Sequence, residues 1–309
     1  MSLSNFRSNE EGSVSTLVAL LMVVLVGTLA LVTDAGLLYI NQGKMHNALD
    51  SAVLAGVREL PANPQEALQV AGNYGSLNGL STEEASFQLD SDQHSISGYA
   101  ERQVELGFAR ALGFTSKIVA VSAKARIAPI SSTGGVVPFG VIEGNFTFGQ
   151  EITLKEGAGD QEYNGWFGAL SLGGSGAHIY RDNIKYGYPE EISIGDIIDI
   201  EAGNMSGPTR AGVEYRLNQC EHIPQCSINS YVEGCPRILI VPIVNIEELN
   251  ESGHPFTVKV KGFGAFLVEE YTGNGNDNQV RGAFIQYVIP GKPSSDAGDF
   301  GLYGVQLIE

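Results

Sequence analysis

The feature that most constrains this chain is an uncharged apolar segment near its N-terminus. No charged residue lies between Glu11 and Asp34. About 20 helical residues cross the hydrocarbon core of a bilayer, where only a helix pairs all of its own backbone groups. Helical spacing then continues to Leu60 in a more amphipathic pattern. We therefore predict one transmembrane and stalk helix over residues 13–60, preceded by a cytoplasmic tail at 1–12.

Two other interpretations compete with a membrane span. A cleaved signal peptide has a basic start, an apolar stretch of about 7–15 residues and a small-residue cleavage site. Here Arg7 is offset by Glu10 and Glu11, and the apolar stretch is longer. A buried core helix is rarely so long and so uniformly apolar. The sequence favours an uncleaved signal anchor.

The charge balance bears on location and on partners. The formal net charge is −17, with only 18 Lys and Arg residues. Nucleic-acid binding needs clustered basic side chains, so this composition argues against it. The charges that flank the apolar segment barely discriminate between orientations. A short tail stays inside more readily than a large acidic domain, so we predict a single-pass membrane protein with its bulk extracytoplasmic.

A stripe of small residues marks the stalk half of the helix. Ala48, Ala52 and Gly56 lie four residues apart and therefore share one face. Small residues at this spacing let another helix or sheet approach closely. We predict a helix-packing interface here, through which the stalk contacts partner helices.

The remaining chain predicts an α+β protein. Residues 61–130 contain a helical pattern from Pro64, strand-sized segments and one short helical turn, which indicates a small pilin-like α+β unit. The Gly-containing segment 131–135 is the predicted linker. Residues 136–309 are rich in strand-sized segments separated by Gly, Pro or Asn, which predicts a mostly β domain. It includes a late hairpin with its tip at 273–278 and one helical insertion at HIYRDNIKYGY.

The three cysteines, Cys220, Cys226 and Cys235, lie within sixteen residues. In an exported domain, one disulfide is the expected use, although the pairing is not defined and one thiol remains over. The alternatives are free thiols and a Cys₃His zinc site completed by His222. The spacing lacks the paired C-x₂₋₄-C ligands of common zinc sites. We therefore predict a disulfide, with no metal and no cofactor.

Catalytic signatures are not evident. Ser206 with Asp196, Asp199 and Glu201 could form a nucleophile and carboxylate group, but a turn with solvent-facing acids is the simpler interpretation. The Gly-rich segment 173–176 does not meet the G-x-S-x-G pattern. The sequence predicts a protein that is not an enzyme.

Residues 12–57 resemble the Flp pilus-assembly TadE/G-like family. In that family an apolar span leads to an Asp, then to an amphipathic stretch with an aromatic residue, then to N-A-x-D-x-A-x-L-A-G. Asp34, Asn47 and Asp50 are the motif's polar residues. The matching positions are Asp34, Tyr39, Asn47, Ala48, Asp50, Ala52, Leu54, Ala55 and Gly56. The segments VPFGVIEG, GALSLGGSGA and GNMSGPT are similar to the C-terminal part of TadG-type members from Gram-positive bacteria.

The resemblance implies a role in tight-adherence pilus assembly. TadE-type members are cut as pseudopilins, and pilin-like leaders carry a Glu five residues after the cut. A cut after Gly12 places Leu17 there, so the chain resembles the anchored TadG type. The implied function is a non-enzymatic accessory or scaffold of pilus assembly or related secretion, whose partners are pilus-assembly or pseudopilin proteins. The alternative is an anchored adhesin that binds carbohydrate or another cell surface; its candidate stacking aromatics are Trp166, Phe167, Tyr180, Tyr186 and Tyr188.

Overall fold

A long N-terminal helix, α1, dominates the fold. The computed structural model describes residues 10–156, 167–201, 203–249, 255–273, 275 and 278–308. Helix α1 runs without interruption over Glu10–Gly56. Its apolar half is exposed and is long and apolar enough to cross a membrane. The predicted N-terminal helix is confirmed from Glu10, while most of the predicted cytoplasmic tail lies outside the described residues.

The other half of α1 is buried. Met45, Leu49 and Val53 recur at helical spacing and are almost completely removed from solvent. A 3₁₀ turn at Val57–Glu59 ends the helix, and α2 follows over Pro64–Leu77, with Pro in its first turn. Both helices pack on strands of the first sheet. The stalk is therefore the central helix of a hydrophobic core.

The first sheet has the order β1-β2-β3-β14-β12, and β7 and β13 also pair with β3. Its long strands are antiparallel neighbours, with Glu105 opposite Ser116 at the β2–β3 hairpin. The strands are β1 (Ala85–Leu89), β2 (Ser95–Glu105), β3 (Ser116–Thr133), β7 (Ile192–Ser193), β12 (Tyr287–Val288), β13 (Lys292–Pro293) and β14 (Leu302–Ile308).

The second sheet has the order β5-β11-β10-β9-β4-β6, with β8 paired to β10. Helices α3 (Ala177–Tyr186) and α4 (Ser206–Asn218) pack on each other, and α4 contacts β10. The strands are β4 (Phe139–Ile142), β5 (Glu151–Glu156), β6 (Phe167–Ala169), β8 (Ile197–Asp199), β9 (Ile238–Leu249), β10 (Pro255–Thr272) and β11 (Gln279–Ile285). The α+β class and the mostly β C-terminal region are confirmed.

The first sheet includes residues on both sides of the linker predicted at 131–135. Strand β3 continues through Ser131, Ser132 and Thr133, so the first three residues of the predicted linker lie in a strand. The last strand, β14, returns to pair with β3, with Tyr303 opposite Pro129. The first sheet is thus completed by residues from the end of the chain. The predicted late hairpin is confirmed, since Thr272 pairs with Gln279.

Gly56 marks the closest approach of α1 to α2. A Cβ atom at Gly56 would lie 2.6 Å from the carbonyl oxygen of Ala67 and 2.9 Å from the Cβ of Ala71. Nothing lies within 4 Å of the equivalent position at Gly43, earlier in the same helix. Only one of these two glycines is therefore required by packing.

We predict that Gly56→Leu destabilises the folded protein by about 2–3 kcal/mol or more, because overpacking forces two backbones apart. Gly43→Leu, the matched control, should not lower the free energy of unfolding, because leucine favours an open helix position over glycine by about 0.5–1 kcal/mol. Chemical denaturation of the detergent-solubilised full chain, followed by circular dichroism, measures both. Equal effects of the two variants would contradict the close packing of α1 on α2.

An ion pair fixes the start of β1 against β2. The Arg102 guanidinium donates to both carboxylate oxygens of Glu84, at 2.6 and 2.8 Å, and also to the carbonyl oxygen of Gly79. The hydrogen bonds from Arg102 to the Glu84 carboxylate lower the pKa of Glu84 from 4.5 to about 2. The pair therefore stabilises the fold above pH 4.5, and this contribution is lost as the pH falls toward 2.

We predict that Glu84→Gln lowers the free energy of unfolding by about 1–2 kcal/mol at neutral pH, since the pair is partly screened by solvent. The difference from the wild type should shrink as the pH falls from about 5 toward 2. Glu83→Gln, at the exposed neighbouring position, is the control. A wild-type advantage that does not change with pH would contradict the assigned ion pair.

Candidate functional site at the base of the head

Asp34, the first charged residue after the apolar segment, is tied to a distant loop. Its carboxylate accepts hydrogen bonds from the backbone N–H groups of Gly107 (2.8 Å), Phe108 (3.0 Å) and Ala109 (2.6 Å). Only 6% of the Asp34 surface is exposed. Hydrogen bonds to an ionised group are stronger than neutral ones, and a buried carboxylate needs such donors. We call this contact the Asp34 clamp.

The clamped loop joins β2 to β3. A 3₁₀ turn at Ala109–Leu112 follows Phe108, and Gly113 ends the turn with φ = 91°, a left-handed conformation that glycine adopts readily. The first N–H groups of such a turn have no partner within it. They point at the Asp34 carboxylate instead, so a residue of α1 caps a turn that lies more than 70 positions later.

Apolar side chains surround the Asp34 clamp. A groove between the loop and α1 is lined by Met22, Val26, Ala30, Leu31, Phe108 and Ala111. Phe114 and Ile118, farther along the same hairpin, are exposed. The hairpin tip thus lies beside the upper turns of the apolar segment. We call the folded part of the chain after the apolar segment, from Asp34 onward, the head. The arrangement fixes the base of the head at the end of the apolar segment.

The small-residue stripe is used within the chain. Ala48 and Ala52 are buried, and the backbone at Gly56 meets Ala67 and Ala71 of α2. The close approach predicted for this face occurs, but its occupants are α2 and the first sheet. Contact of the stripe with partner helices, as predicted, is incompatible with this burial.

The other two polar residues of the motif, Asn47 and Asp50, contact residues one turn away in α1. Asp50 lies 3.0 Å from the ring Nδ1 of His46, one helical turn away. Asn47 is exposed, and its carbonyl oxygen accepts the hydroxyl of Ser51. Of the motif's polar residues Asp34, Asn47 and Asp50, Asp34 makes the contact that joins distant parts of the chain.

The cysteines converge in the segment between α4 and β9. Cys220, Cys226 and Cys235 are buried and are free thiols in this structure, so the disulfide stays a prediction. The ring Nδ1 of His222 lies 3.6 Å from the sulfur of Cys220 and 3.4 Å from that of Cys226. The sulfurs of Cys235 and Cys220 are 3.6 Å apart. The structure thus brings all four side chains of the alternative zinc interpretation together.

The thiols of this cluster differ in acidity. Burial raises the pKa of Cys220, but hydrogen bonds from the backbone of Cys226 and from His222 outweigh it and bring the pKa to about 6. Burial and the neighbouring thiols raise the pKa of Cys235 to about 12. The Cys220 thiol is therefore more easily ionised than the Cys235 thiol, and its thiolate is the better ligand or nucleophile.

Two of the candidate stacking aromatics are not equivalent. Tyr180 is buried against Phe139, whereas Tyr186 is exposed and stands edge-on to Tyr215, with ring centroids 5.4 Å apart. The Lys185 ammonium lies over the Tyr215 ring. Trp166 and the side chain of Phe167 lie outside the described residues.

Two of the carboxylates considered as partners of Ser206 accept backbone hydrogen bonds. Ser206 is the first residue of α4, so a helix begins where the sequence predicted a turn. Asp196 accepts the backbone N–H of Ser193, and Glu201 accepts that of Gly176. These contacts support structural roles for the acids.

Comparison with known families identifies one segment. Residues 12–59, which correspond to most of α1 and its closing 3₁₀ turn, match the Flp pilus-assembly TadE/G-like family. No curated protein and no solved structure matches the chain. The resemblance of the N-terminal segment is thus confirmed, and it includes the Asp34 clamp's carboxylate.

We predict that Asp34→Asn releases the loop, because an amide group carries one acceptor oxygen and presents N–H donors to the other backbone donors. Loss of the charge-assisted bonds should cost about 1–3 kcal/mol. Hydrogen exchange at the amides of residues 107–109 should become faster in the detergent-solubilised chain. Asp50→Asn, on the same helix, should leave those amides protected; unchanged protection in Asp34→Asn would contradict the clamp.

Proposed function

We propose that this protein is a non-enzymatic, membrane-anchored scaffold in the assembly of Flp pili or of a related secretion system. The observation that carries the proposal is that the family match falls on α1, which is at once the apolar segment and the central helix of the head's first core. A part shared with pilus-assembly proteins therefore also determines how the head is held.

Continuity of α1 supports a scaffold role. An α-helix rises 1.5 Å per residue and transmits its orientation along its length. The Asp34 clamp adds a second point of attachment, between α1 and the β2–β3 hairpin. The continuous helix and the Asp34 clamp together fix the height and the direction of the head relative to the membrane.

The surface available to partners lies outside the small-residue stripe. The residues of the apolar segment, from Val14 to Thr33, are almost all exposed in the isolated chain. In a membrane such residues contact lipid or the helices of other proteins, and close helix contacts favour small residues such as Gly27 and Ala30. Pilus-assembly or pseudopilin proteins with a single apolar helix are the partners that fit this surface. In this proposal the head is extracytoplasmic.

Deletion of the gene tests the scaffold role. In the native bacterium we predict loss of surface pili, counted by electron microscopy, with pilin retained in the cells. The full chain should restore the pili, whereas a chain whose residues 14–33 are replaced by a cleaved secretory signal should not. Pili that form normally in the deletion strain would contradict the proposal.

The adhesin remains the second candidate because the exposed Tyr186 lies beside the half-buried Tyr215. Aromatic faces of this kind stack on sugars. It predicts that a deletion strain keeps its pili but loses attachment. It further predicts that Tyr186→Ala with Tyr215→Ala reproduces that loss. The scaffold predicts normal pili and normal attachment in this double variant.

A further inference from the structure

The cysteine cluster has the composition and shape of a metal site. Cys220, His222, Cys226 and Cys235 each offer one ligand atom, and all four atoms lie within 4.8 Å of one another. We propose that these four side chains bind one Zn²⁺ ion in a tetrahedral Cys₃His site. This site is independent of the proposed role in pilus assembly.

The distances fit zinc coordination. Zinc binds cysteine sulfur at about 2.3 Å and histidine nitrogen at about 2.0–2.1 Å, almost always as a tetrahedron in structural sites. The edges of such a tetrahedron are about 3.8 Å between two sulfurs and about 3.5 Å between sulfur and nitrogen. The corresponding distances here are 3.6 Å for Cys235 to Cys220, 3.6 Å for Cys220 to His222 and 3.4 Å for Cys226 to His222.

The surroundings favour thiolate ligands. Metal-bound thiolates need nearby donors or positive charge in the surrounding protein. Three thiolates and a neutral imidazole leave a net charge of about −1 on a bound Zn²⁺. The buried Arg237 guanidinium, which donates to the carbonyl oxygen of Cys226 at 3.2 Å, provides a nearby positive charge.

Soft sulfur ligands and one imidazole select zinc over the harder cations, since Mg²⁺ and Ca²⁺ prefer oxygen. A single disulfide would use two of these four groups and leave a buried thiol beside a histidine. The Cys₃His site uses all four. The ligand spacing, C-x-H-x₃-C-x₈-C, is not a common zinc pattern. The three-dimensional arrangement therefore carries the inference.

The site holds together a segment that contacts both sheets. Between α4 and β9, the chain consists of turns, bends, irregular backbone and one isolated bridge. Its Gly234 N–H donates to the Tyr287 hydroxyl beside the first sheet, and its Ile228 N–H donates to the Glu269 carboxylate of the second. Glu233 also pairs with Arg58, at the end of the stalk. A bound zinc would thus fix a segment that joins the stalk, the first sheet and the second sheet.

The test uses the full chain in detergent, purified anaerobically with reductant. Zinc is measured by elemental analysis, and Co²⁺ alone is then exchanged into the site as a spectroscopic probe. We expect about one zinc per chain, with thiolate-to-cobalt charge transfer and the visible bands of tetrahedral cobalt. Absence of zinc uptake by the reduced chain would overturn the proposal, as would a disulfide between any two of the three cysteines in the non-reduced peptide map of protein taken from the native envelope.

Matched variants assign the ligands. Loss of a group that only hydrogen-bonds to a zinc ligand weakens metal binding by about 10–100-fold. Cys226→Ser and His222→Asn each remove a ligand itself, so each should weaken zinc binding by more than that. His178→Asn, a histidine far from the cluster in sequence, should bind zinc as the wild type does. Full zinc retention in both ligand variants would overturn the assignment.

A measurement on the unmodified chain avoids dependence on variants that fold poorly. Chelation of the zinc should speed hydrogen exchange over residues 219–237, and added Zn²⁺ should restore the protection. A hydrogen-exchange rate in this segment that changes neither with chelator nor with added zinc would overturn the proposal.

Discussion

The structure depends on the burial of one face of α1. The same helix that carries the apolar segment inserts Met45, Leu49 and Val53 into the core between α2 and the first sheet. Complete burial of such side chains contributes about 1.5–3 kcal/mol each. Because the helix is continuous between its two halves, the apolar segment and the head cannot reorient separately without breaking helix hydrogen bonds or opening that core.

The other long-range contacts reinforce this arrangement. The Asp34 clamp attaches the β2–β3 hairpin to α1 just beyond the apolar segment. Strand β14 closes the first sheet from the end of the chain, and Gly301 just before it bridges to Gly264 in the second sheet. The cysteine segment contacts the end of the stalk and both sheets. Each contact links parts of the chain that are far apart in sequence.

Local patterns in the sequence predicted much of this fold. The helical periodicity of α1 and Pro64 at the start of α2 fall where expected, and β1 to β3 lie within the strand-sized segments of residues 61–130, because these signals are set by neighbouring residues. The pairing of β14 with β3 could not be predicted in this way, since it joins residues about 180 positions apart. Helix α4 was missed because Gly207 and Pro208 resemble a turn, although Pro is tolerated in the first turn of a helix.

The sequence identified the residues of the candidate sites better than it identified what those residues contact. Asp34 was identified from a family motif, but its partners are backbone amides, which leave no side-chain signal. The small-residue stripe predicted close packing and the wrong occupant, because periodicity does not say whether the neighbour belongs to the same chain. The cysteines were identified, but their irregular spacing favoured a disulfide over the four-ligand cluster that folding assembles.

The most direct test of the anchored scaffold is the mass-spectrometric N-terminus of the protein recovered from its native envelope. The account predicts a membrane-bound chain that begins at Met1 or Ser2 and retains the whole apolar segment. A start at Ser13 would contradict the scaffold by making the chain a processed pilin-like subunit. A start near residue 36 would contradict the anchor itself, because the head would then be released without the segment on which its orientation depends.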